Sequence, residues 1–170
     1  MFIDIAQIPA EGLEIHFREA EDFLDASGER IHLLRPLEAR LHFCRTPSGV
    51  WVRGEFSSDL ELHCSRCDEV FTLPVSEGFD VRYRSPLGGA VDEERELAPD
   101  ELDVSFLDEG KIHVAGLVRE NVLLALPVQP LCRDGCRGLC TRCGVNLNGG
   151  TCRCPAPGRD PRWRELESLL

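Results

Sequence analysis

Six cysteines lie within residues 132–154, in the run CRDGCRGLCTRCGVNLNGGTCRC. Two more form a C-x-x-C motif at Cys64 and Cys67, and Cys44 is the ninth. Clustered cysteines can pair as disulfides, exchange electrons as a dithiol, or bind a metal through their thiolates. Because nine is an odd number, complete internal pairing is impossible.

The short spacing within each pair favours zinc. Two thiolates from one tight turn and two from another can surround a tetrahedral ion, and nearby glycines permit such turns. The spacing favours one local site in the tail and a second that joins the tail to the body, although spacing alone does not decide which four cysteines share each ion. The favoured sets are Cys140, Cys143, Cys152 and Cys154 for the local site, and Cys64, Cys67, Cys132 and Cys136 for the joining site. Four thiolates leave no open position for a catalytic water, so both zinc ions are predicted to be structural.

A redox centre at Cys64 and Cys67 is the alternative. Thioredoxin-like motifs lie where a strand meets a helix, since the helix dipole lowers the thiol pKa there. Here the pattern predicts a strand on each side, which disfavours a thiol oxidoreductase. Cys44 is expected to be an unreactive apolar residue on the face opposite Phe43, and His63 to point away from the cysteines. No Walker loop, G-x-S-x-G or H-E-x-x-H motif occurs, so no enzyme activity is predicted.

Arginine is concentrated in the tail. Residues 132–164 carry seven arginines and two aspartates (+5), whereas residues 1–131 carry 12 basic and 26 acidic residues (−14). Guanidinium groups bind phosphates bidentately, so the tail is predicted to contact RNA. However, two zinc ions with four thiolates each contribute −4, and the acidic body could instead attract a basic protein. The predicted RNA or partner contacts are Arg133, Arg137, Arg142, Arg153, Arg159, Arg162 and Arg164.

The elements that must position these residues are mainly strands. Apolar residues alternate with period two between Pro36 and Arg84, with a turn at TPSG (46–49). This predicts an antiparallel meander or small barrel, mainly β with minor α. Residues 102–106 and 111–114 are predicted as two short strands, and 115–126 as a packed helix ended by Pro127. The predicted division is a β-rich body, 1–131, and a Cys-rich zinc module, 132–170, with a short helix over 160–170.

The remaining features predict an ordinary cytoplasmic protein. The acidic stretch 85–101 is expected to be a solvated connection, the alternative being a flap that mimics nucleic acid. No apolar run is long enough for a bilayer, and the opening residues lack the pattern of a secretory signal. In a reducing cytosol, disulfides do not persist. Neither a membrane nor a small-molecule substrate is expected.

One family carries a similar combination of motifs. The run L-C-x3-C-x-G-L-C-x2-C-G-V-N-L-N-x3-C-x-C, followed by D-P-R and a leucine-containing segment, resembles the Cys-rich tail of the YceD family. The upstream C-S-R-C-D-E and L-L-A-L-P-V-Q-P stretches fit too, so the resemblance covers roughly residues 40–170. It implies a non-catalytic protein of the bacterial cytoplasm or an organelle that is needed for accumulation of large-subunit ribosomal RNA. Its partners would be that RNA or its precursor, or a ribosomal or assembly protein.

Overall fold

A computed structural model describes residues 1–20, 24, 31–47, 49–84, 104–107 and 110–155 of the 170-residue chain. In this part the elements are β1 (Phe2–Asp4), β2 (Leu13–Glu19), β3 (His32–Leu33), β4 (Leu37–Thr46), β5 (Gly49–His63), β6 (Val70–Arg84), β7 (Val104–Phe106), β8 (Lys111–His113) and α1 (Val114–Ala125). The predicted acidic connection, 85–101, and the predicted helix, 160–170, lie outside the described residues.

The main sheet is built on a long antiparallel meander of β4, β5 and β6. Its strand order is β2-β4-β5-β6-β7, and β3 pairs with the far part of β5. Within the described residues this order begins at β2 and ends at β7 without a pairing between the two, so the sheet is open and not a closed barrel. β7 runs parallel to β6, whereas all other pairs of this sheet are antiparallel. A parallel pair was not predicted from the sequence. The predicted mainly β class with one helix is confirmed.

β5 is a single long strand. It runs from Gly49 to His63 through the polar residues 57–59, and most of its inward positions are buried. Ser58 occupies one of these positions, and its hydroxyl donates to the carbonyl of Arg35 at 2.9 Å. A buried hydroxyl that has a hydrogen-bond partner does not carry the cost of an unpaired one, so the strand tolerates it.

The second layer consists of a small sheet and the helix. β1 pairs with β8, and β8 leads directly into α1. The buried side of α1, with Val114, Leu117, Val118 and Val122, belongs to the same hydrophobic core as the inner face of the main sheet. The helix predicted over 115–126 is therefore confirmed, shifted by one residue. The two short predicted strands pair with β6 and β1 and not with each other. No helix in the described part of the chain is both long and apolar enough to span a bilayer.

One glycine of β5 allows an aromatic side chain to enter the core. A Cβ at Gly54 would lie 2.2 Å from the ring of Phe79 on the neighbouring strand β6. The missing side chain leaves room for this ring, which packs against the core near Phe56. Gly78, also on β6, differs because a Cβ there would meet nothing closer than 3.6 Å.

The outer face of the main sheet carries ion pairs between neighbouring strands. Their separations are 3.8 Å for Arg18–Glu38, 3.7 Å for Arg40–Glu55 and 3.4 Å for Arg53–Asp80. These side chains are largely exposed, so each pair contributes little to stability. Positive and negative charges therefore alternate across this part of the sheet.

Candidate metal centres

A tight turn between β5 and β6 presents the first cysteine pair. The amide of Cys64 donates to the carbonyl of Glu69 at 2.9 Å, and the carbonyl of Cys64 accepts from the amide of Asp68 at 2.9 Å. Asp68 has φ 58°, the left-handed conformation that closes the turn. The turn therefore places Cys64 and Cys67 together at the end of the sheet, where β5 leads into β6.

A second turn in the tail repeats this pattern. The amide of Cys140 donates to the carbonyl of Val145 at 2.8 Å, and its carbonyl accepts from the amide of Gly144 at 2.9 Å. Gly144 has φ 69° and so occupies the place that Asp68 has in the first turn. Both C-x-x-C motifs therefore have the same backbone hydrogen bonds, although one lies in the sheet and the other in a segment without regular structure.

The first metal group joins the body to the tail. The sulfur atoms of Cys64, Cys67, Cys132 and Cys136 all lie within 4.8 Å of one another. The Sγ–Sγ distance is 3.7 Å both for Cys64–Cys136 and for Cys67–Cys132. A disulfide requires about 2.05 Å, whereas a tetrahedral zinc ion with bonds of about 2.3 Å places its sulfurs about 3.8 Å apart. The spacing of this group thus suits a metal ion.

The second metal group lies wholly within the tail. The sulfurs of Cys140, Cys143, Cys152 and Cys154 also lie within 4.8 Å of one another. Cys152 Sγ lies 3.3 Å from Cys140 Sγ and 3.5 Å from Cys143 Sγ. This group is more exposed than the first, in which Cys64, Cys67 and Cys136 are buried. The two groups are the two sets that the sequence favours, and each can hold a metal ion; their role as zinc ligands stays a prediction.

The thiols within each group differ in acidity. Burial raises the pKa of Cys64, but backbone N–H groups around its sulfur outweigh this and lower it to about 6. Burial, with the neighbouring sulfurs, raises the pKa of Cys67 to about 12. In the second group backbone N–H groups lower the pKa of Cys140 to about 6, whereas neighbouring sulfurs raise that of Cys154 to about 12. Adjacent thiolates repel one another, so a cation is required for all four to ionise together.

Further contacts dock the tail on the first turn. Arg66, between the two cysteines of the body, donates from Nη1 to the carbonyl of Cys136 at 3.0 Å. Its own carbonyl accepts from the amide of Leu139 at 3.1 Å. Gly138 has φ 71°, and a Cβ there would lie 3.0 Å from the Arg66 carbonyl. The tail therefore approaches the turn closely enough to require glycine at this position.

Asn148 connects the two metal groups. Its Nδ2 donates to the sulfur of Cys136 at 3.3 Å, and its Oδ1 accepts from the amide of Arg137 at 2.8 Å. It belongs, however, to the loop between Cys143 and Cys152 of the second group. Hydrogen bonds of this kind orient a metal ligand and stabilise its thiolate. Sequence reasoning missed this residue, although the V-N-L-N run in the resemblance marked its position.

Four of the predicted contact arginines lie in the described tail. They are exposed, and none of their side chains forms an ion pair with a described residue: Arg133, Arg137, Arg142 and Arg153. The main-chain amide of Arg142, and not its guanidinium group, lies 3.5 Å from Cys140 Sγ. The other three, Arg159, Arg162 and Arg164, lie outside the described residues. Within the described part of the chain, these four guanidinium groups thus have no carboxylate partner.

Two residues that the sequence sets apart from the metal groups do lie outside them. Cys44 is half-buried on the outer face of β4, with its sulfur 3.3 Å from His42 Nδ1. His63 lies at the end of β5, where its Nδ1 is 3.2 Å from a carboxylate oxygen of Asp68. Neither contributes a ligand atom to the two groups of four.

The tail and most of the body match a known family. The family model described as "Large ribosomal RNA subunit accumulation protein YceD" matches residues 52–170. The chain belongs to the YceD family. The matched range includes β6, α1 and all eight cysteines of the two metal groups.

The individual relatives are distant in sequence. An uncharacterized protein of Mycobacterium tuberculosis is 29% identical over 139 residues, which cover 72% of this chain and 56% of the relative. The chloroplastic large ribosomal RNA subunit accumulation protein YCED homolog 1 of Arabidopsis thaliana is 26% identical over 155 residues, covering 79% and 48%. The chain thus spans about half the length of the curated relatives it matches. No solved structure matches it.

Proposed function

We propose that this YceD-family protein is a non-enzymatic factor of ribosome biogenesis that supports accumulation of large-subunit ribosomal RNA. The description of its family supports the general role. The specific proposal is that the protein acts in the cytoplasm by binding this RNA or its precursor through the Cys-rich module. We define that module as residues 132–155 for the part that the structure describes.

One observation carries this proposal: the module presents four exposed arginines without ion pairs to described residues. On the sheet, by contrast, Arg18 and Arg40 are paired with glutamates. An unpaired guanidinium group does not have to leave a carboxylate before it binds a phosphate, so the module binds an anionic polymer at lower cost. Docking on the Cys64–Cys67 turn holds these groups on a fixed support.

Zinc is the metal that we propose for both groups. All-thiolate, tetrahedral sites are typical of structural zinc, which leaves no position for a catalytic water. Such binding supplies folding free energy to a segment that lacks a hydrophobic core. Metal analysis of the purified chain should therefore give about two zinc ions per molecule, and a metal-free but folded module would contradict this part of the proposal.

The RNA contact can be tested in cells and in solution. Ultraviolet crosslinking followed by denaturing purification should recover large-subunit precursor RNA, with the crosslinked peptide in the module. The triple variant R137A/R142A/R153A should bind RNA more weakly and with a flatter salt dependence, because each lost phosphate contact reduces the number of released counterions. The matched control is R18A/R40A, in which exposed but ion-paired arginines are removed. If both variants lose RNA affinity equally, the arginines of the module are not a specific RNA contact.

A protein adaptor is the second candidate, favoured by the −14 charge of residues 1–131. Its acidic surface would capture a basic ribosomal or assembly protein. Partner capture should then survive nuclease treatment and fall when Asp92, Glu93 and Glu94 are neutralised. These three carboxylates lie outside the described residues.

The oxidoreductase alternative predicts a reversible dithiol titration in the metal-loaded protein. Dithiol exchange needs an accessible thiolate, whereas the sulfurs of Cys64 and Cys67 are buried beside those of Cys132 and Cys136. A Cys64→Ser variant that folds normally and loses a measured redox activity would favour this alternative over a structural site.

A further inference from the structure

A second group of arginines surrounds Trp51 on the outer face of the main sheet. Trp51 lies near the start of β5, with Cys44 and Arg82 as its cross-strand neighbours. The guanidinium carbon of Arg53 lies 3.7 Å from the centre of the indole ring, and that of Arg82 lies 5.9 Å from it. Two cations thus adjoin one aromatic ring on a face that is open to solvent.

Asp80 fixes part of this arrangement. Its carboxylate accepts a hydrogen bond from the indole Nε1 of Trp51 and lies 3.4 Å from Nε of Arg53. One carboxylate therefore orients both the indole and the guanidinium group. Arg82 is different, because no carboxylate of the described residues lies within ion-pair distance of it. Its exposed positive charge remains available to a ligand.

A cleft of about 300 Å³ opens beside the ring. Its lining combines the indole with apolar, phenolic and guanidinium groups: Thr46, Val50, Trp51, Arg82, Tyr83, Arg84 and Val104. This volume is at the lower end of the range for small-ligand pockets, about 300–1,000 Å³. The cleft thus places the indole and positive charge beside the same ligand.

We propose that Trp51, Arg53 and Arg82 form a platform for single-stranded RNA. One base stacks on the guanidinium group of Arg53, which the indole of Trp51 supports from below, and Arg82 binds the neighbouring phosphate. The inference rests on the proposed function in taking RNA as the partner, but it names a surface on the body, separate from the Cys-rich module. RNA would then contact the protein at two places.

The chemistry of the platform favours RNA over a protein partner. Single-stranded nucleic acids are bound by exposed aromatic rings together with arginines, often on an open sheet. An aromatic ring flanked by two guanidinium groups offers a stacking surface and positive charge together, and one nucleotide supplies both a base and a phosphate to meet them. Since the body is acidic as a whole, a local excess of positive charge determines where a phosphate chain can approach it.

Tryptophan fluorescence provides a direct test. The chain has two tryptophans, so Trp163→Phe leaves Trp51 as the sole reporter in the full-length, zinc-loaded protein. The probe is a mixed-sequence single-stranded RNA of about 12 nucleotides. We expect RNA to quench the fluorescence of Trp51, and W51A to weaken binding by about five- to a hundredfold, as for the loss of one base stack. W51F, which keeps an aromatic ring, should retain most of the affinity.

Arg82→Gln tests the phosphate contact without altering the ring. The slope of log Kd against log salt should fall by about 0.7, as expected for one phosphate of a single strand. Arg18→Gln is the matched control, on the same face but paired with Glu38, and should leave the slope unchanged. If W51A fails to fold, the quenching of Trp51 and the R82Q slope decide the question.

Two results would overturn the platform. If RNA binds while Trp51 fluorescence and the R82Q slope stay unchanged, the platform is wrong and the Cys-rich module remains the proposed contact. If the chain does not bind single-stranded RNA, the platform is also wrong. In that second case, ultraviolet crosslinking in cells still tests the proposed role in ribosomal RNA accumulation independently of the platform.

Discussion

Replacing Asn148 with alanine tests whether the two metal groups depend on each other. The side chain donates to Cys136 Sγ at 3.3 Å and accepts from the Arg137 amide at 2.8 Å, while its backbone belongs to the loop of the second group. N148A removes both hydrogen bonds and leaves all eight cysteines in place. We therefore expect the first group to bind zinc less tightly, and the second group to lose only the part of its affinity that it gains from the first through Asn148.

The size of the effect follows from the two contacts. Removing a hydrogen-bond donor to a metal ligand typically lowers metal affinity about 10- to 100-fold. The bond to the Arg137 amide is between neutral groups and contributes about 1 kcal/mol, chiefly by orienting the side chain. N148A should thus weaken one zinc site by about 10- to 100-fold. Gly149→Ala is the matched control in the same loop, since a Cβ there would meet nothing within 4 Å.

Competition with a chromogenic chelator measures both sites in one experiment. The N148A protein should release zinc from the first group at a lower chelator concentration than the wild-type protein does. Alkylation followed by mass spectrometry then identifies the thiols that the released zinc leaves exposed. Cys64, Cys67, Cys132 and Cys136 should react first. Because linkage is reciprocal, weakening the second group with Cys143→Ser should also weaken the first group in the wild-type background but much less in N148A.

The reasoning is refuted if C143S weakens the first group equally in both backgrounds, because Asn148 would then carry no coupling. It is also refuted if G149A has the same effect as N148A, since the loss would then reflect a general disturbance of the loop.

Three other predictions concern the metal, the core and the single tyrosine. Removing the metal with a chelator should abolish hydrogen-exchange protection of the amides of Cys140 and Gly144, while those of β5 stay protected, because only the module depends on metal for its order. G54A should destabilise the protein by about 1–3 kcal/mol in urea unfolding, since its Cβ would overlap the Phe79 ring, and G78A should have a much smaller effect. Burial, with a smaller contribution from Glu120, raises the pKa of Tyr83 to about 12. The folded state therefore favours the neutral phenol. The free energy of unfolding should fall as pH rises from about 10, the pKa of an exposed tyrosine, towards 12. Y83F, measured by urea unfolding over the same pH range, should not show this fall.

Much of the fold follows from local pattern, but pairing does not. Period-two alternation identified the inward residues of β4, and helical periodicity identified α1. The hydrogen bond that allows Ser58 a buried position in β5 could not be predicted, because its acceptor, the carbonyl of Arg35, is 23 residues away in sequence. The parallel pairing of β7 with β6 was missed for a similar reason, since a three-residue strand contains no signal of its partner.

The metal groups were more predictable than the contacts around them. Cysteine spacing favoured both sets of four, because the chemistry of a tetrahedral ion restricts how ligands can be arranged along a chain. Asn148 was not found, because asparagine has many uses and only its position beside Cys136 gives it a role. The cluster around Trp51 was missed as well, since its arginines come from two neighbouring strands and are separated by 29 residues in sequence.

The two halves of the first metal group are made at different times. Cys67 precedes Cys132 by 65 residues, and β6 to β8 and the whole of α1 lie between them. At about 5–20 residues per second, translation takes several seconds to cover that interval. During this time the turn at the end of β5 offers two thiols and has no partners for them. Capture of a metal by all four sulfurs thus becomes possible only after the sheet and the helix have been synthesised, so metal binding at this group would follow the completion of the body.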